Sequence, residues 1–156
     1  MSLYAKEQYE FVKESRSVLF EYCKTIRPED FVDQNTSFGR GGSMRNLLVH
    51  IANTYEYWIA NSALKKNTSY TEYENFRTIE DVLLLFDAVD NFMSEFISAM
   101  DLFENEITYE IQNTISSAKP FRLFSHVITH EYHHKGQILS LSRHLGYIPV
   151  DTDIMR

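Results

Sequence analysis

The chain has 156 residues, enough for one domain that buries about two-thirds of the surface its unfolded chain would expose. Its net charge of −7 argues against a broad nucleic-acid surface, which needs a basic footprint, and against docking on anionic membranes. A single cysteine, Cys23, excludes an intrachain disulfide and fits a reducing compartment. The amino-terminal residues lack the basic-then-apolar pattern of a signal peptide, and no apolar run reaches the roughly 18 residues of a membrane span. The expectation is a soluble cytoplasmic protein with a small-molecule substrate.

From about Leu3 to Ile26 the apolar residues Ala5, Tyr9, Val12, Leu19, Cys23 and Ile26 recur at helical spacing, and Phe20 widens the stripe. Arg16 interrupts it, and Cys23 reads as core. Arg27-Pro28 ends this helix, because proline disfavours the α conformation in the residue before it. The segment from Phe31 to Gly42 reads as a loop. Its glycines, Gly39, Gly41 and Gly42, do not make a phosphate loop, since no lysine follows in register and no strand precedes them.

Ser43 is a suitable N-cap for a second helix with an apolar face of Met44, Leu47, Leu48, Ile51, Tyr55, Trp58 and Ile59. That helix fades around Lys65 to Thr68, and Ser69 to Arg77 reads as a loop. Thr78 with Asp81 resembles a capped start to a third helix, striped by Val82, Phe86, Val89, Met93, Phe96 and Met100. From Ile107 to Gln112 the alternation suggests a short extended piece, either a hairpin or an irregular crossover. Ser116 to Pro120 reads as the start of a fourth helix, with Pro120 in its first turn, running to about His144 and closed by Gly146. Four amphipathic helices with two long connections predict an all-α four-helix bundle in a single domain.

The stretch of the fourth helix from Ser125 to Gln137 carries four of the six histidines. At about 100° per residue, Leu123, Val127, Ile138, Leu141 and Leu145 fall within roughly 40° of one line. His130 and His134 fall inside that stripe, whereas His126, His133 and Gln137 lie towards its edge. Polar groups in a core need partners, and two imidazoles one turn apart suit a divalent metal. The alternative is two core histidines bonded to other side chains or water. His50, about 100° from Ile51 on the second helix, is the best third ligand in the chain.

His130-Glu131-Tyr132-His133-His134 also matches the H-E-x-x-H pattern of zinc proteases. The longer protease form needs glycine at 137 and histidine at 140, where this chain has Gln137 and Ser140. The other form needs a carboxylate downstream; no glutamate follows Glu131, and Asp151 and Asp153 lie in a short tail. Glu131 remains a candidate general base for another hydrolysis, against its simpler reading as partner to a nearby cation or histidine.

The Leu47-Leu48-Val49-His50-Ile51-Ala52-Asn53 run, Trp58 two turns later, the His126-to-Gln137 motif and the Arg143-to-Pro149 ending together resemble the DinB/YfiT-like superfamily. The resemblance implies a four-helix bundle in an up-down-down-up arrangement, often a homodimer. It implies a divalent transition metal held by three histidines, which map to His50, His130 and His134. Zinc and nickel come first, and iron and manganese also accept imidazole. His126 and Gln137 would orient the ligands or a substrate. Lys135 stands where the family commonly has arginine, keeping the charge and losing the bidentate fork. The activity implied is that of a metal-dependent transferase or isomerase using a low-molecular-weight thiol. Alternatives are a metal-binding or stress-related protein without turnover, and metal-assisted hydrolysis through Glu131.

Overall fold

The computed structural model of the chain describes residues 1–36 and 42–156. It is mostly helical. The long helices are α1 (Ser2–Cys23), α3 (Met44–Tyr55), α4 (Ile79–Ala99) and α5 (Pro120–His144), with a short α2 (Pro28–Val32) after the first. A π-helical segment, Glu56–Ala63, prolongs α3, and short 3-10 turns occupy Tyr73–Asn75 and Met100–Leu102. Strands β1 (Ile107–Ile111) and β2 (Thr114–Ala118) form an antiparallel pair between α4 and α5. Among the described residues no helix is long and apolar enough to cross a membrane.

The stripes read from spacing are the buried faces. In α1, Ala5, Tyr9, Val12, Leu19, Phe20 and Cys23 are buried; in α4, Val82, Phe86, Val89, Met93 and Phe96; in α5, Leu123, Val127, Ile138 and Leu141. The caps also form as their residues dictate. Ser43 Oγ accepts from the Asn46 amide at 3.0 Å, and Thr78 and Asp81 make a reciprocal capping box. Each satisfies amides that the first helical turn leaves without partners.

Helices α1 and α3 each pack on α4 and α5. Along α1 and α4 with the 3-10 turn that follows it, the partners run in opposite sequence order: Ser2 with Asp101, Tyr9 with Asp90, Phe20 with Phe86. Along α1 and α5 they run in the same order, Arg16 with Glu131 and Tyr22 with Ser142. Between the α3–π segment and α5 the order is again opposite, from His50 with His134 to Trp58 with His126.

Three expectations are corrected. Part of the segment read as loop after Arg27 is the helix α2, which starts with proline, carries Glu29 and Asp30 in its first turn, and buries Phe31. Proline at N1 and acids near the positive helix end are both favourable there. Ser116 to Ala118 belong to β2, paired with Ile107 to Tyr109, and not to the start of α5. Their hairpin turns on Gln112 and Asn113, both at positive φ, the geometry whose twist matches paired strands. The second helix does not stay α-helical past Tyr55 but widens into the π segment, where Leu64 bonds five residues back to Ile59. The reading of Gly39 and Gly41 lies outside the described residues. Gly42 sits at φ +71° with Thr36 atoms 3.0 Å from where a Cβ would stand, so only glycine fits there without strain.

Candidate metal centre

The buried faces of α3 and α5 bring three imidazoles together. His50 comes from α3, and His130 and His134 from successive turns of α5. Their ring centroids lie 5.0, 4.8 and 4.3 Å apart pairwise. Each offers one nitrogen, and these nitrogens all lie within 4.8 Å of one another. The Nε2 atoms of His130 and His134 are 3.1 Å apart. Two nitrogens on one tetrahedral or octahedral ion would be roughly 2.8–3.4 Å apart at ordinary zinc–imidazole bond lengths, so this pair is already spaced for shared coordination.

The donor set fits a cation in its protonation state as well. Burial, reinforced by the surrounding histidines, pushes His130 down to about 3, and burial also lowers His134. Both are therefore neutral near pH 7, with lone pairs available. Gln137 fixes the tautomer of His134. Its Oε1 accepts from Nδ1 at 2.7 Å, which leaves the Nε2 lone pair facing the cluster. The Gln137 amide nitrogen lies 3.2 Å from Nε2 of His133, whose ring sits on the exposed side of α5. On His130, Nδ1 is buried without a hydrogen-bond partner. His126 meets the cluster through its ring, 5.9 Å from that of His130, and packs edge-on against Trp58 at 4.9 Å. Of the two residues expected to orient the ligands, Gln137 thus bonds one of them directly, while His126 reaches His130 only by ring contact.

Glu131 turns away into a polar network. It is 1% exposed. Arg16 grips it with Nε and Nη2, each at 2.9 Å, and Tyr55 Oη donates to the same carboxylate at 2.6 Å. Arg16 also donates to Asp90 at 2.6 Å, and Tyr9 closes the network. Burial first, and then the Glu131 charge, holds the Tyr55 phenol well above its ordinary value, so it stays a donor. With both oxygens engaged, Glu131 is placed as the partner of a buried cation. Arg16 and Tyr55 were not picked out as site residues from sequence. The available signal was that Arg16 and Glu131 both stand in core register on their helices with opposite charge.

Beside His50 opens a cavity of about 480 Å³, walled by Tyr57, Trp58, Tyr70 and Tyr73. The π segment supplies Tyr57 and Trp58 as consecutive wall residues. Extra-wide helical turns of this kind recur at functional sites.

Fold and site together define a mostly helical protein in which three histidines from two helices can hold a metal ion. The whole chain, residues 1–156, matches the model of the DinB family, and the protein belongs to that family. Comparison with curated proteins finds no match.

Proposed function

We propose that this protein is a metal-dependent enzyme of the low-molecular-weight-thiol transferase or isomerase type, built as an up-down-down-up four-helix bundle and acting as a homodimer. The observation that carries the metal reading is the convergence of His50, His130 and His134, each with one nitrogen within 4.8 Å of the others. The bundle arrangement is supported by the contact orders along α1, α4 and α5. When bound, a divalent ion at this place supplies Lewis acidity, which lowers the pKa of a thiol or water on it. Three protein ligands leave positions open for that partner.

The chain's own residues prepare the site. Gln137 holds the Nδ1 proton of His134 and so aims Nε2 at the cluster. Low-dielectric surroundings keep His130 and His134 neutral. The aromatic cavity at His50 offers a place for the organic part of a substrate. Hydrolysis through Glu131 has no support in the geometry, since Arg16 and Tyr55 occupy its oxygens.

Elemental analysis of untagged protein tests this first. The expected result is about one equivalent of zinc or nickel per chain, lost in His50→Ala, His130→Ala and His134→Ala and kept in His133→Ala. Less than about a tenth of an equivalent of any transition metal after reloading overturns the metal reading. Loaded protein should then consume a low-molecular-weight thiol in the presence of an electrophile. Metal uptake without thiol consumption would make it a binding protein without turnover.

A further inference from the structure

The cavity beside the histidine cluster is uneven in its chemistry. Its walls are the aromatic faces already named, with Tyr57 and Tyr70 close to parallel at 6.4 Å and 17°, and Trp58 edge-on to Tyr57 at 5.0 Å. Among the described residues, Glu72 is the one acidic residue that lines it, and neither lysine nor arginine does. A second carboxylate stands close by. Glu56 acts electrostatically on the wall residue Tyr70 but does not line the cavity, and burial raises its pKa. The loop that closes the cavity is held in place. Asn53 donates to Thr71 O at 2.9 Å and accepts from the Thr71 amide at 3.0 Å, while Asn61 clasps Thr68 through three bonds.

Aromatic faces attract cations through their quadrupole, and the solvent-exposed carboxylate of Glu72 adds a negative charge to the cavity lining. Among the described lining residues no lysine or arginine offers a carboxylate a charged partner. We propose that the cavity beside His50 recognises the positively charged group of an organic amine, set against the faces of Tyr57, Tyr70 and Trp58 and the carboxylate of Glu72. This rests on the metal reading in one respect: a thiol reaching the cluster through this cavity is then one that carries an amine.

Trp58 is the sole tryptophan and lines this cavity, so its emission reports on occupancy there. The test titrates metal-free protein with benzyltrimethylammonium and, separately, with benzenesulfonate. The salt is held at about 150 mM to screen the overall negative charge. The cation should give a saturable change in emission, with an affinity at least about tenfold above that of the sulfonate. Glu72→Gln should weaken cation binding by about fivefold, and Tyr70→Leu by a factor of about three. Glu74→Gln, exposed and outside the lining, should leave it unchanged. No saturable response, equal binding of the sulfonate, or equal losses in Glu72→Gln and Glu74→Gln would each overturn the proposal. Because metal is absent throughout, these outcomes are separate from success or failure of metal loading.

Discussion

His130 and Glu131 are adjacent on α5 and serve different partners. One residue of helical rotation aims His130 at His50 and His134, and Glu131 at Arg16 on α1. Truncating one member of a buried ion pair strands the other charge, which typically costs about 3–5 kcal/mol. Asp90 still pairs with Arg16, so Glu131→Gln should fall near the low end, about 3 kcal/mol, in denaturant unfolding. The same variant should keep its full metal stoichiometry, since Glu131 is bonded to Arg16 and Tyr55 and not to the cluster. A loss of metal without a loss of stability would reverse that assignment. At this scale the sequence showed the residue types and their registers. It did not show that Arg16, read as a break in the α1 stripe, is the cation Glu131 needs, because the two are 115 positions apart.

The elements end where local chemistry stops them. At the close of α5 the Gly146 amide bonds back to Arg143 O and the Tyr147 amide to Ser142 O, with Gly146 at φ +93°. This paired return satisfies carbonyls that the last turn leaves open. Nothing lies within 4 Å of where a Cβ would stand on Gly146. The cost of Gly146→Ala is then one of backbone alone, about 1 kcal/mol, to be read as a lower unfolding free energy with the metal site unchanged. The caps and this terminus were legible because they depend on neighbours within a few residues. The π segment was not. Apolar spacing assumes 3.6 residues per turn, and Ile59, Ala60 and Ala63 stay buried while the turn widens beneath them.

Across the whole molecule, Lys135 ties α5 to α1 and to the C-terminal tail. Its ammonium donates to Ser15 Oγ and, at 3.4 Å, to Thr152 O, and it sits 4.1 Å from the centre of the Tyr132 ring. Burial pushes it down to about 8 from an ordinary value of 10.5. Between these two values the unfolded chain holds a proton that the folded chain has released, so the contribution of Lys135 to stability rises with pH across that window. The unfolding free energy of the wild type minus that of Lys135→Met should therefore increase from about pH 8 to about 10. A difference that stays flat would show that the lysine is solvated in the folded protein.

The sequence by itself determined the four amphipathic helices, most of their caps, the core faces and which histidines share a helical side. Each of these follows from the geometry of a single helix and its nearest neighbours in the chain. Only the tertiary structure decided that His50 reaches His130 and His134, that Gln137 orients His134, and that Arg16 clasps Glu131. It alone also placed Tyr57, Trp58 and Tyr70 around one cavity beside that cluster. Such contacts join residues far apart in sequence, and helical periodicity fixes the direction of a side chain without fixing what stands opposite it.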